Sequence, residues 1–312
     1  MQPLRSLDLS GRGLTSAQFA DLPLPPVEDL EDLDLSGNRL TWLPDGIGGF
    51  TTLRSLSFYD NQIGFVHDSL WRLTKLESLN LSANRIDTLG EGLGDLTSLR
   101  MLDLGHNQLT SVPSSLGRLA ALDYLYLSNN RLSGVPASLA ALTSLRYLNL
   151  VGNRLDAFPG AVCDLTGLIE LRLYDNAISS LPGAIGRLDA LRELHVRNNR
   201  LERLPEALGT LTSLRVLSLR SNALTALPDA LGGLESLTDL DLRDNCLAAL
   251  PASMASLSSL RFLDLRGNRL TQAPPWLAGL PVLEKLDLRW NKIASPPRVL
   301  KSLEGRGCTV HL

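Results

Sequence analysis

The sequence is poor in the residue types that usually build disulfide frameworks, metal centres and aromatic cores. Its 312 residues include three cysteines, four histidines, six phenylalanines, four tryptophans and five tyrosines. The cysteines Cys163, Cys246 and Cys308 are odd in number and far apart, so they do not suggest the disulfide framework of a small secreted domain. This cysteine usage favours a reducing compartment, and we expect a cytoplasmic protein.

Long apolar runs and a strong net charge are also missing. No stretch approaches the roughly 18 consecutive apolar residues of a membrane-spanning helix, and the first residues lack the segments of a secretory signal peptide. The formal net charge of −3 gives no overall attraction to nucleic acid or to acidic membranes. Only four of the 30 basic residues are lysines, which together with abundant Leu, Ala and Gly is typical of a GC-rich genome. We therefore expect a bacterial source.

Leucine and asparagine, by contrast, recur with a fixed period. Leucine accounts for 74 residues, and such a bias predicts a repeat. Twelve asparagines follow one another at intervals of 23 residues: Asn38, Asn61, Asn84, Asn107, Asn130, Asn153, Asn176, Asn199, Asn222, Asn245, Asn268 and Asn291. Twelve periods from Leu30 leave 29 residues before them and 7 after them, whereas a second domain needs at least about 50. We therefore expect no separate catalytic domain in this sequence.

Each period has the same internal pattern. Residues 122–132 read LDYLYLSNNRL and are followed by SGVPASLAALTS, and the frame LxxLxLxxNxL, then xxLPxxLGxLxx, recurs along the chain. This pattern resembles the leucine-rich repeat family in its 23-residue form. The resemblance implies an α/β solenoid, a curved horseshoe with a parallel concave sheet of about 13 strands. Short helical, 3₁₀ or extended segments are expected on its convex side.

Elementary physical chemistry supports the same fold. The LxL alternation has period two, which predicts a short strand with one buried face. The asparagine amide offers two donors and an acceptor, so we expect it to satisfy backbone groups in its own turn and in the next repeat. A proline stands six residues after the asparagine in ten of twelve repeats, from Pro44 to Pro297, where its fixed φ suits the start of a short helix. His67 and Gly90 replace it in the other two, and we expect a local irregularity there on the convex side.

The two ends depart from the repeat. Residues 4–14 read as a degenerate strand in which Arg12 replaces the asparagine, and Pro23, Pro25 and Pro26 precede the next repeat. We interpret residues 1–29 as an N-terminal capping repeat, 30–297 as leucine-rich repeats and 298–312 as a C-terminal cap, all within one continuous domain. In the C-terminal cap we expect a helix at 298–304 and an edge strand at 308–312, because soluble repeat arrays shield their ends.

The outward strand residues are the surface specific to this protein. Alternate strand residues point away from the leucine core, and the family resemblance implies that this concave face binds a partner. All five tyrosines occupy outward positions, and Tyr and Arg are enriched among binding hot spots. Cross-strand stabilisation, worth about 0.2–1 kcal/mol per pair, is the alternative role for the tyrosines. We predict a partner-binding surface formed by Met101, Tyr124, Tyr126, Tyr147, Arg172, Tyr174, His195, Arg197 and Arg220.

Five arginines, 23 residues apart, form a second feature of this face: Arg197, Arg220, Arg243, Arg266 and Arg289. At strand spacing they make a row of roughly 19 Å, a possible footprint for a phosphate backbone. Nearby carboxylates balance their charge, namely Glu193, Asp239, Asp241, Asp244, Asp264 and Asp287. We therefore favour an Arg–Asp lattice, with docking of an acidic protein segment and nucleic-acid binding as alternatives.

No catalytic or metal-binding constellation is apparent. His106 and His195 are expected about 19 Å apart, too far to share a metal, and we interpret the cysteines as small, half-buried residues. We therefore predict a monomeric, non-catalytic scaffold for a protein partner, without cofactor, metal or membrane insertion. A polyanion-binding protein that uses the Arg197 to Arg289 stripe, and a secreted bacterial effector that targets a host protein, remain alternatives.

Overall fold

The computed structural model describes residues 5–22, 29–294 and 298–312. The chain groups into two compact units, Met1–Arg154 and Leu155–Leu312. Pro23, Pro25, Pro26 and Pro297 lie outside the described residues. The division into two caps and a repeat region within one continuous domain stays a prediction.

Short parallel strands, paired in chain order, form the sheet of the first unit. Each has three residues, and from the second strand onward its central leucine is buried because the flanking residues point the other way. The predicted degenerate strand near the N-terminus is present and pairs in register with the next one, Ser6 opposite Asp32. The helix α1 (Ser16–Ala20) follows it. The strands are β1 (Ser6–Asp8), β2 (Asp32–Asp34), β3 (Ser55–Ser57), β4 (Ser78–Asn80), β5 (Met101–Asp103), β6 (Tyr124–Tyr126) and β7 (Tyr147–Asn149).

The second unit repeats this arrangement. Its strands are also parallel and paired in chain order, and the predicted C-terminal helix, α2 (Arg298–Glu304), leads into the predicted edge strand. The strands are β8 (Glu170–Arg172), β9 (Glu193–His195), β10 (Val216–Ser218), β11 (Asp239–Asp241), β12 (Phe262–Asp264), β13 (Lys285–Asp287) and β14 (Thr309–His311).

Five-residue 3₁₀ helices lie between successive strands from β2 to β13. Most begin directly after the repeat proline, which serves as N-cap; Pro113, for example, has φ −64° and ψ 151°. Within the described residues, no helix is long and apolar enough to cross a membrane. The 3₁₀ helices are Asp45–Gly49, Asp68–Arg72, Glu91–Asp95, Ser114–Arg118 and Ala137–Ala141 in the first unit, and Gly160–Asp164, Gly183–Arg187, Glu206–Thr210, Asp229–Gly233, Ala252–Ser256 and Pro275–Gly279 in the second.

The periodic asparagines form the predicted ladder. Asn130 is representative: its Nδ2 donates to the carbonyl oxygens of Leu127, in its own turn at 3.2 Å, and Leu104, in the preceding repeat at 2.9 Å. Its Oδ1 accepts a hydrogen bond from the backbone N of Leu109 at 3.0 Å. The expectation that the amide reaches the next repeat is therefore wrong in direction. The side chain points back along the chain, where Leu104 and Leu109 of the preceding repeat supply the carbonyl and the N–H that it binds.

The irregularity predicted at His67 and Gly90 lies in the packing and leaves the backbone regular. Both residues have φ −72°, within the range of the proline N-caps. The packing departs from the repeat at Trp71, which occupies a position where the corresponding residue in other repeats is small. A Cβ on Gly94, for instance, would come within 2.6 Å of the carbonyl oxygen of Ser115 in the next 3₁₀ helix. The equivalent small residues are Gly48, Gly94, Gly117, Ala140, Cys163, Gly186, Gly209, Gly232, Ala255 and Ala278.

Gly92 makes room for this tryptophan. A Cβ at Gly92 would lie 2.3 Å from Cδ1 of Trp71, far inside van der Waals contact. The indole is 5% exposed, and its Nε1 donates to Oδ1 of Asp68 at 3.1 Å. A cavity of about 470 Å³ opens beside it, lined by Asp68, Trp71, Arg72, Gly90, Glu91, Gly92 and Asp95. The bulky side chain of Trp71 is thus accommodated because Gly90 and Gly92 of the following repeat have no side chains.

We expect Gly92→Ala to destabilise the protein by about 1–3 kcal/mol, because the new methyl group overpacks against Trp71. In a Trp71→Ala background the same change is expected to cost almost nothing, which makes the two positions strongly coupled. Urea unfolding of the four variants measures the coupling. Gly49→Ala is the matched control, since a Cβ there meets nothing within 4 Å. Equal costs of Gly92→Ala in both backgrounds would contradict the packing argument.

Candidate partner-binding surface

The predicted binding residues lie on the strand face, which we define as the first and third residues of each strand together with the second residue after it. Met101, Tyr124, Tyr126 and Tyr147 are in the first unit. The others, Arg172, Tyr174, His195, Arg197 and Arg220, are in the second. We describe the two sets separately.

Three tyrosines on β6 and β7 form a tyrosine cluster, Tyr124, Tyr126 and Tyr147. The ring of Tyr147 lies 4.9 Å from that of Tyr126 and 6.4 Å from that of Tyr124, between centroids, and both pairs are tilted by about 40°. Tyr124 is 43% exposed and is opposite Met101 in the strand register. The predicted neighbours are therefore brought together as a partly exposed aromatic surface.

A carboxylate lies beside this cluster. Asp103 is opposite Tyr126 in the register, and its Oδ1 accepts a hydrogen bond from the backbone N of Gly105 at 2.8 Å. Burial raises the pKa of Asp103 above its ordinary value, and the hydrogen bond from Gly105 only partly opposes this. Between residues 32 and 151 the strand-face positions include Asp32, Asp34 and Asp103 but neither Lys nor Arg. The face of the first unit is thus aromatic and acidic.

An edge row of alternating charges was missed by the sequence reasoning. In the first unit it occupies the position after the first leucine of each repeat. Several adjacent members form ion pairs: Arg100 and Asp123 are 2.9 Å apart, and Arg5 and Glu31 are 3.3 Å apart. The sequence contains the signal that would have predicted this row, because the charge at this position changes sign from one repeat to the next. Such exposed pairs are worth at most about 1 kcal/mol each. The row reads Arg5, Glu31, Arg54, Glu77, Arg100, Asp123 and Arg146.

In the second unit, an arginine stacks on the fifth tyrosine of the chain. The guanidinium carbon of Arg197 is 4.1 Å from the ring centroid of Tyr174, a cation–π distance. The Nε of Arg197 is buried and has no hydrogen-bond partner. This contact holds the two predicted binding residues together and leaves a buried donor unsatisfied.

Two carboxylates and one imidazole converge on β8 and β9. Nε2 of His195 lies 3.0 Å from Oε2 of Glu193 and 3.9 Å from Oε1 of Glu170, and Nε of Arg172 donates to Oε1 of Glu170 at 2.5 Å. His195 and Arg172 were predicted as binding residues of this face, and Glu193 as a carboxylate that balances the arginines, but the convergence of Glu170 and Glu193 on His195 was not predicted. Their signal was a carboxylate at the same strand position in successive repeats, with a histidine two residues after the second.

The Arg–Asp lattice favoured from the sequence is observed for three of the five arginines, whereas Arg197 stacks on Tyr174 and Arg220 pairs with Asp244. Arg243, Arg266 and Arg289 each donate from two nitrogens to the aspartate two residues earlier. Two of them also reach the aspartate of the next strand: Arg243 to Asp264 at 3.3 Å and Arg266 to Asp287 at 3.4 Å. Because these guanidinium donors already bind carboxylates, the arrangement favours a neutral lattice over a phosphate-binding stripe.

Asp287 is the most buried member of the lattice, with 2% of its surface exposed. Burial alone would raise the pKa of its carboxyl. The hydrogen bonds from the side chain and backbone of Arg289, with the positive charges of Arg266 and Arg289, outweigh burial and hold the pKa below its ordinary value. The ionised form is therefore stabilised by folding.

The cysteines are free thiols, and Cys163 and Cys308 are buried. Burial raises the pKa of both thiols, which disfavours the nucleophilic thiolate. Neither shows the electropositive, exposed surroundings of a catalytic cysteine.

We expect Asp287→Asn to lower the free energy of unfolding by about 1.5–3 kcal/mol at pH 7, the range for hydrogen bonds to a charged group. A depressed folded pKa contributes stability above the ordinary carboxyl pKa, and this is lost as pH falls through the folded value. The gap between the wild type and Asp287→Asn should therefore narrow in acid. Denaturant unfolding between pH 7 and pH 2 measures it. Asp34→Asn, at the equivalent position without an arginine contact, is the control, and a constant gap would contradict the assignment.

Family models match most of the chain. A model of leucine-rich repeat regions matches residues 64–173 and 136–223, which together span more than half of the sequence. Further leucine-rich repeat models match residues 28–86 and 212–270, and residues 279–296. No curated protein sequence matches the chain.

Solved structures of leucine-rich repeat proteins are similar over nearly the whole chain. One is a leucine-rich repeat protein of Leptospira interrogans, with a TM-score of 0.68 and 28% identity over 99% of this chain and 90% of that one. Another is an internalin, InlF, of Listeria monocytogenes, with a TM-score of 0.74 and 24% identity over 85% of this chain and 82% of that one.

A plant receptor is also similar. It is the Arabidopsis receptor kinase HAESA, in complex with the peptide hormone IDA and the co-receptor SERK1, with a TM-score of 0.62 and 28% identity over 89% of this chain. The match covers 53% of the receptor chain, so this protein spans about half of its length. Together with the parallel strands and the asparagine ladder, the family models show that the chain belongs to the leucine-rich repeat family.

Proposed function

We propose that this protein is a non-catalytic scaffold that binds a protein partner on its strand face. Leucine-rich repeat proteins are generally protein-interaction modules and are typically not catalytic. The tyrosine cluster carries the proposal for this chain. Its three rings are adjacent and Tyr124 exposes 43% of its surface, so they form a contiguous exposed patch of the kind that marks interaction sites.

The physical advantage of such a surface is its rigidity. The tyrosines stand on strands whose ends are tied to their neighbours by the asparagine ladder, and Tyr147 contacts both other rings. A preorganised surface loses little conformational entropy on binding. Tyrosine also combines a large apolar area with a hydroxyl group and few rotatable bonds, which suits it to binding hot spots.

The acidic character of this face favours a partner segment with basic residues. Asp32, Asp34 and Asp103 are not balanced by any lysine or arginine at the strand-face positions of the first unit. The HAESA structure, solved with a peptide hormone, is consistent with a polypeptide ligand for a chain of similar fold. In the second unit, Arg172, Tyr174, His195, Arg197 and Arg220 are proposed as further contacts.

We further propose a monomeric, cytoplasmic protein of bacterial origin. Its free cysteines and the GC-rich bias of its basic residues support this location and source. The alternative is a secreted bacterial effector, whose partner would be a protein of the host cell. The arginine stripe is not proposed as a polyanion site, because Arg243, Arg266 and Arg289 are occupied by aspartates.

We expect the triple variant Tyr124→Ala, Tyr126→Ala, Tyr147→Ala to lose at least about 30-fold in affinity for the partner, the loss expected from one hot spot of about 2 kcal/mol. The partner is first isolated with the wild-type chain as bait. Its Kd is then measured by calorimetry with both proteins, after circular dichroism has shown that the variant is folded.

Tyr59→Ala is the matched control. Tyr59 is a strand-face tyrosine of the same unit, 49% exposed and outside the cluster, and its removal should leave the affinity within about twofold. Equal affinity of the wild type and the triple variant would refute the assignment of the cluster.

A further inference from the structure

We propose that Glu170, Glu193 and His195 form a binding site for a divalent transition-metal ion such as Zn²⁺. Two carboxylates and one imidazole converge there from the adjacent strands β8 and β9, and their donor atoms lie within 4.8 Å of one another. Within the part of the chain that the structure describes, this is the group of three such side chains close enough to share an ion. The proposal does not depend on the partner proposed above.

The donor distances are near those of a metal site. With metal–ligand bonds of about 2.0–2.2 Å, the ligands of a tetrahedral ion are roughly 3.3 Å apart. His195 Nε2 is already 3.0 Å from Oε2 of Glu193 and 3.9 Å from Oε1 of Glu170. Small side-chain rotations therefore suffice, while the strands that carry the three residues remain in place.

The negative charges of Glu170 and Glu193 favour a bound cation. Glu170 and Glu193 are directly opposite in the strand register, an arrangement of like charges that destabilises a sheet. In the lattice further along the same unit, each of the in-register aspartates Asp241, Asp264 and Asp287 has its own arginine with two hydrogen bonds. Glu193 differs, because the residue two positions after it is His195, whose imidazole contacts Glu193 but carries a charge only when it is protonated.

The ligand set selects the class of ion. Imidazole nitrogen is a ligand for Zn²⁺ and related transition metals, whereas Mg²⁺ and Ca²⁺ prefer oxygen ligands alone. Three protein donors leave at least one coordination position open, as in exchangeable zinc sites. The site is half-buried, with 20% of the Glu170 side chain and 21% of the His195 side chain exposed, so an ion can enter from the strand face.

Arg172 competes with the metal, which supplies a discriminating test. Its Nε donates to Oε1 of Glu170 at 2.5 Å, so a bound cation must displace this contact and tolerate a nearby positive charge. A change that removes the guanidinium but keeps a polar side chain should therefore strengthen metal binding. A purely structural role for the cluster predicts no such gain.

The experiment is a calorimetric titration of the full, chelator-treated chain with ZnCl₂. We expect one site in the wild type, at least about tenfold weaker in Glu193→Gln and in His195→Ala. In Arg172→Gln it should be at least about fivefold tighter, because even two unit charges about 4 Å apart in water repel by about 1 kcal/mol and the ion is divalent. His106→Ala, a histidine of the other unit, should bind like the wild type. The absorption of Co²⁺ in place of Zn²⁺ reports the same ligand set independently of heat.

Thermal unfolding monitored by circular dichroism shows that each variant is folded before titration. Absence of Zn²⁺ binding in the wild type, or equal binding in the wild type, Glu193→Gln and His195→Ala, would overturn the proposal. The same holds if Arg172→Gln binds more weakly than the wild type.

Discussion

The asparagine amide is the interaction on which the rest of the structure depends. Each three-residue strand ends in a sharp turn whose backbone groups are cut off from water, and one side chain such as Asn130 satisfies two carbonyl groups and one N–H. Leaving such groups unpaired costs about 1–3 kcal/mol each. Because the amide joins its own turn to the preceding repeat, stability accumulates between neighbours and does not require a single central core.

This division of labour leaves the outward strand positions free to vary. Leucines such as Leu125 are completely buried and the ladder supplies the polar bonds of the turns, so the repeat frame itself does not dictate the first and third strand residues. Some of them still stabilise the fold locally, as Asp287 does through Arg289. Two different surfaces result. The first unit presents tyrosines and aspartates, whereas the second has arginines bound to aspartates. Function in this family is therefore argued from the outward residues, since the leucine frame would look alike in any member.

Local exceptions to the repeat are tolerated when a neighbour compensates. Trp71 replaces a small residue and Gly92 gives up its side chain, so the 3₁₀ helices remain regular around a cavity. Trp290 adopts a left-handed backbone with φ 59°, where other repeats mostly have Gly, Asp or Asn, and it lies 71% exposed against Arg289. A bulky residue there costs some backbone strain.

By itself the sequence determined the repeat, the strand register, the ladder and which residues face outward, because a strict 23-residue period admits only one alignment of neighbours. The tyrosine cluster and the Arg–Asp lattice followed from that register. Tertiary structure alone decided where the side chains point: that Asn130 reaches back to Leu104, that Arg197 lies on Tyr174, and that Glu170 and Glu193 converge on His195. Side-chain rotamers depend on contacts with residues of neighbouring repeats, so the pattern within one repeat does not determine them.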